Sequence, residues 1–214
     1  GTPESITSSA TAQVANVNDA PTGNVAITGT PTQNQILTAD TTFLTDADGL
    51  GALHYQWQAD GSNIATDSNT LTLTEAQVGK VITVAASYTD GHNTLESVTS
   101  TATSAVLNVN DIPTGDVTIT GVVALNNLLT VGNTLLDADG LAPLSYQWQS
   151  SSDGTTNWTG IANATSDTLI LTQSNVGQHL RVVAGYIDGH GTTESVASAA
   201  TALVADQGVL LDSA

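Results

Sequence analysis

The stretch "LHYQWQ" at residues 53–58, with its near copy "LSYQWQ" at 144–149, decides how the chain folds. Side chains alternate across a strand, so Leu53, Tyr55 and Trp57 share one face. Leu144, Tyr146 and Trp148 do the same in the second copy. "VITVAASY" at 81–88 alternates likewise and puts Ile82, Val84, Ala86 and Tyr88 on one face. Its counterpart carries Leu180, Val182, Ala184 and Tyr186. "NVAITG" at 24–29 is a further alternating segment, and clusters of Gly, Asn and Asp punctuate the chain at short intervals.

Outward from these strands the chain repeats itself. Asp19 matches Asp111 at an offset of 92, and the "DADGL" segments at Asp46 and Asp137 match at 91. Further on, "YTDGH" at Tyr88 and "YIDGH" at Tyr186 match at 98. The second copy therefore holds a seven-residue insertion, placed within "SSSDGTTNWTG" at 150–160 and expected in a hairpin loop. "GTPESITSSATAQV" at the start aligns with "NTLESVTSTATSAV" from Asn93 and "GTTESVASAATALV" from Gly191. The expected organisation is therefore the last strand of a preceding, truncated repeat at 1–16, a first repeat at 17–108, a second at 109–205, and a tail or next linker at 206–214. On this reading the parent is a longer tandem array, and the lone first strand docks on a neighbour or on its own first repeat.

About seven short strands in roughly ninety residues, with one Trp on the third long strand, predict an all-β fold of two tandem immunoglobulin-like antiparallel β-sandwich domains in an elongated arrangement. Strand A is expected at Val25, B ending near Leu44, C at Tyr55, E at Leu71, F at Ile82 and G at Val98. Trp57 and Trp148 are expected between the sheets.

Composition removes several classes of function. Twenty acidic residues face two basic ones, Lys80 and Arg181, so no basic patch exists for nucleic acid or an anionic membrane surface. With no Cys there is no disulfide, no thiolate zinc site and no Cys nucleophile. No run is apolar for long enough to cross a bilayer as a helix, so direct membrane insertion is not expected. No G-x-S-x-G motif occurs, and His92 and His190 beside "DG" read as solvated turn residues, so the chain is not read as an enzyme.

The acids are not spread evenly. In the expected topology the B–C loop, the F–G loop and the lead into strand A meet at one end of each sandwich. That gathers Asn18, Asp19, Asp46, Asp48, Asp90 and Glu96 in the first repeat, and Asn110, Asp111, Asp137, Asp139, Asp188 and Glu194 in the second. Two carboxylates ~5 Å apart repel by roughly 3 kcal/mol at an effective dielectric near 20. A hard cation removes that repulsion, and Ca2+ suits flexible loops that offer carboxylates, an Asn amide and carbonyls. Zinc is disfavoured, because His92 and His190 supply too little nitrogen and no thiolate exists. The alternative for any single Asp is an Asx turn.

Taken together, "DADGL..L.YQWQ", "LTLT...VGK.I.V..SYTDGH...ES" and "NVNDAPTG" resemble the tandem immunoglobulin-like, cadherin-like repeats of large type I secreted, RTX-type bacterial surface adhesins. The resemblance implies an extracellular, calcium-stiffened stalk at a bacterial cell surface that serves adhesion and biofilm formation. Its partners would be the neighbouring repeats of the same chain, and a monomer is expected. "ADQGVLLDSA" at the end departs from the linker pattern. The competing expectation is a module that binds an extracellular glycan or protein through Trp158, which lies in the insertion; the alternative for that ring is packing against its own hairpin or the adjacent sheet.

Overall fold

A computed structural model of the chain describes residues 1–206. The tail expected at 206–214 lies outside the described residues apart from Asp206. The chain divides into two compact units, Gly1–Val109 and Asn110–Ala214.

The first unit holds seven strands: β1 (Ala26–Thr28), β2 (Ile36–Asp40), β3 (His54–Ala59), β4 (Ser62–Thr66), β5 (Thr70–Thr72), β6 (Ile82–Thr89) and β7 (Leu95–Thr99). They form two antiparallel sheets, ordered β1-β2-β5 and β4-β3-β6-β7. The second unit repeats this with β8 (Val117–Thr120), β9 (Leu128–Asn133), β10 (Ser145–Ser151), β11 (Thr159–Gly160), β12 (Thr168–Ile170), β13 (His179–Ile187) and β14 (Thr193–Ala197). Its sheets are ordered β12-β9-β8 and β11-β10-β13-β14. The protein is thus all-β and sandwich-like.

Period-2 alternation explains why each core lies between two sheets. In β6 the buried side chains are Ile82, Val84, Ala86 and Tyr88, as the alternation requires. They form one cluster with Leu37 and Ala39 of β2, Leu71 of β5 and Trp57 of β3, so both sheets contribute to it. Trp57 and Trp148 are completely buried. Each indole Nε1–H donates to a backbone carbonyl, that of Ser68 at 2.8 Å and that of Ser166 at 2.9 Å, so burial leaves no indole donor unpaired.

The strand expected to end near Leu44 stops at Asp40 instead. The Asp40 carboxylate accepts hydrogen bonds from the Thr42 N–H at 2.9 Å and the Thr42 hydroxyl at 2.6 Å, which turns the chain out of the ladder. Leu44 still reaches the core from the loop. Residues 1–16, expected as a strand, carry no strand or bridge and are exposed. A strand exists through its ladder, and this segment has none among the described residues.

The insertion falls where the repeat offset puts it. In the first unit β3 and β4 join through Asp60 and Gly61 alone, both at positive φ, as a two-residue hairpin turn requires. In the second unit the link from β10 to β11 runs over residues 152–158. Its centre is Asp153, whose carboxylate accepts from the Thr156 hydroxyl, the backbone N–H groups of Thr156 and Thr155, and the Ser151 hydroxyl. Those bonds, the Thr156 hydroxyl first, hold its pKa well below the usual carboxylate range. Trp158 is half-buried, with the Arg181 guanidinium of β13 4.4 Å from its ring centroid.

Truncating a fully buried indole removes its transfer energy and leaves a cavity, so Trp57→Ala and Trp148→Ala are each expected to destabilise their unit by about 3–5 kcal/mol in denaturant unfolding. Trp158→Ala is expected to cost only about 1 kcal/mol, the scale of a cation–π contact at a half-exposed site.

Candidate functional site

Three segments meet at one end of the first unit: the lead into β1, the β2–β3 loop and the β6–β7 turn. Asp46 lies midway along the β2–β3 loop, and its Oδ1 accepts the Asp48 N–H at 2.8 Å, an Asx turn. Asp48 then faces both other segments. Its Oδ2 accepts the Asp19 N–H at 2.8 Å, and its backbone carbonyl accepts the Gly91 N–H at 3.0 Å. Asp90, at the end of β6, accepts the N–H groups of His92 at 2.8 Å and Thr94 at 2.7 Å with Oδ1. The Asn18 amide donates to Glu96 Oε1 at 2.7 Å and ties the lead-in segment to β7.

The second unit reproduces this arrangement bond for bond. Asp137 Oδ1 accepts the Asp139 N–H at 2.9 Å, and Asp139 Oδ2 accepts the Asp111 N–H at 2.7 Å. Asp139 O accepts the Gly189 N–H at 2.9 Å. Asp188 Oδ1 accepts from the His190 and Thr192 N–H groups, both at 2.8 Å, and the Asn110 amide donates to Glu194 Oε1 at 2.7 Å. All twelve residues singled out in the sequence therefore lie in these two poles. Asp19 and Asp111 take part in these bonds through the backbone N–H.

Turn chemistry and convergence are both realised, in the same residues. Two contributors went unnoticed in the sequence. The Tyr88 hydroxyl donates to Asp46 Oδ2 at 2.6 Å, and the Tyr186 hydroxyl donates to Asp137 Oδ2. Their alternation marked them only as core; the signal available was the spacing Y-x-D-G-H, which recurs in both copies.

The electrostatics follow from these contacts. Burial, the bond to the Asp and nearby negative charge push both phenols upward in pKa. For Tyr88 the charges are Asp46, Glu96 and Asp90; for Tyr186 they are Asp137, Glu194 and Asp188. The Asp48 carboxyl is held below its usual range, first by the Asp19 N–H, with Asn16 and His92 adding to it against burial. His92 Nδ1 lies 3.3 Å from Asp48 Oδ1. For Asp188 burial acts upward, but hydrogen bonds from Thr192, His190 and Gly191 together outweigh it.

Not every carboxylate oxygen is satisfied. Asp90 Oδ2, Asp188 Oδ2 and Asp139 Oδ1 are buried without a hydrogen-bond partner, in residues 4–6% exposed. A buried anionic oxygen with no partner is costly, so a hard, oxygen-seeking cation fits both the donor type and the missing partner. Within either unit, no three ligand atoms of acidic or His residues lie within 4.8 Å of one another among the described residues.

No protein-family model matches the chain, and no curated protein matches it.

Because the Asp48 and Asp188 pKa values are lowered in the folded state, their contribution to stability is complete above the unfolded-state value of about 4 and is lost as pH falls through the lowered values. Urea midpoints measured in EDTA are therefore expected to hold steady down to about pH 4 and to drop below it. A Cβ on Gly91 would lie 2.5 Å from Asp48 O, and one on Gly189 2.5 Å from Asp139 O. Gly91→Ala and Gly189→Ala are each expected to cost about 1–3 kcal/mol in the same unfolding assay.

Proposed function

We propose that the chain is a calcium-stabilised extender, or stalk, module of a large bacterial surface adhesin, built from tandem immunoglobulin-like repeats. The strand orders favour that fold: β1-β2-β5 against β4-β3-β6-β7 matches sheets ABE and C′CFG, and the second unit matches it again. The observation that carries the function is the duplicated pole, the same hydrogen bonds in both units with buried carboxylate oxygens left without partners. An enzyme has no use for two copies of such an arrangement; a spacer needs one at every repeat.

In this reading Asp90 anchors a calcium ion in the first unit and Asp139 and Asp188 hold one in the second, with Asp48, Glu96 and Glu194 at the rim. The ion offsets the mutual repulsion of the acids. It also clamps the lead-in segment, already tied by Asn18 and Asp19 to the loops, so that tension passes through a fixed segment. The module would act outside the cell, where calcium is plentiful, with neighbouring repeats of its own chain as partners. A sugar-binding role for Trp158 has less in its favour, since Arg181 covers its ring.

Calorimetric titration to millimolar calcium, with melts in calcium and in EDTA, tests the proposal. At about 100 times a dissociation constant near 10⁻⁴ M, each site is expected to add roughly 2.7 kcal/mol. Asp90→Asn with Asp188→Asn should abolish both the heat and the gain. Absence of saturable binding, with identical melts, would overturn it.

A further inference from the structure

We infer that Tyr88 and Tyr186 are positioning residues of the two poles, and that Asp46 and Asp137, which they hold, are struts of the loop and not ligands of the ion. The inference deepens the calcium reading and its second half rests on it. Both oxygens of Asp46 are already committed, Oδ1 to the Asp48 N–H and Oδ2 to the Tyr88 hydroxyl. Asp137 is committed in the same way to Asp139 and Tyr186. Among the carboxylates of the poles, the buried oxygens that lack a hydrogen-bond partner belong to Asp90, Asp188 and Asp139, all more than nine-tenths buried.

The phenols are fixed in turn. Tyr88 is 1% and Tyr186 5% exposed, the rings packing inside the sandwich, so each hydroxyl must find a protein acceptor at the core's edge. An ion that drew Asp46 away would leave that buried hydroxyl without one. Strand alternation supplies the geometry: Tyr88 near the end of β6 and Asp90 just past it are both buried, as are Tyr186 near the end of β13 and Asp188 just past it. One strand end therefore delivers both the ligand carboxylate and the donor that sets where the β2–β3 loop, or its β9–β10 counterpart, stands beside it.

Three double variants separate the roles: Tyr88→Phe with Tyr186→Phe, Asp46→Asn with Asp137→Asn, and Asp90→Asn with Asp188→Asn. Each is melted in EDTA and titrated with calcium chloride. The Phe pair, which keeps the rings and the core, is expected to lower the EDTA melting temperature by about 4–8 °C. The Asp90 pair is expected to weaken calcium at least about ten-fold more than the Asp46 pair does. A Phe pair that melts like wild type would overturn the positioning role. An Asp46 pair that melts like wild type in EDTA yet loses calcium as fully as the Asp90 pair would make Asp46 and Asp137 ligands and overturn the strut. A wild-type chain that takes up no calcium overturns the calcium reading, and the EDTA melts then decide the positioning role alone.

Discussion

Each unit depends on an indole held between two sheets. Trp57 on β3 pairs across the ladder with Val84 on β6, and Trp148 on β10 pairs with Val182 on β13. The ring fills the gap of ~10 Å between packed sheets, and its N–H is directed to the one carbonyl, of Ser68 or Ser166, that spares it an unsatisfied donor. With no disulfide to join the sheets, packing around this ring is what keeps them together. The loops at the strand ends take their places from it.

The poles are a consequence of that packing and also a strain on it. Strands that end together bring their loops together, and here the loops carry acids. Part of the charge is absorbed by backbone N–H groups, which lower the pKa of Asp48 and Asp188. Part is absorbed by a phenol donor. What is left over is concentrated on a few buried oxygens, and the protein has only Lys80 and Arg181 as permanent side-chain cations to offset it. Arg181 is occupied elsewhere, stacked on Trp158 and donating to Gln149 at 2.7 Å.

The largest difference between the two copies is the insertion. The two-residue Asp60–Gly61 turn of the first unit becomes the loop over 152–158 in the second, and Asp153 supplies the hydrogen bonds that a longer loop needs to hold its shape. Neither change touches the indole or the pole. The insertion is thus confined to one sheet edge, while the residues that set the spacing and the acids stay in register.

Local pattern in the sequence determined the all-β class, the faces of β3 and β6, the two buried indoles and the place of the insertion. Period-2 alternation and repeat offsets are one-dimensional, and these features follow from them. It did not determine that β2 ends at Asp40, because a side chain accepting from Thr42 competes with the ladder only once the chain is folded there. Nor did it show that Tyr88 and Tyr186, read as plain core, reach the acids of a loop 42 and 49 residues away. Whether a polar atom at the end of a buried ring meets a partner, and which carboxylate oxygens are left without one, is settled by distances of a few tenths of an ångström between distant segments. Only the tertiary structure decides those.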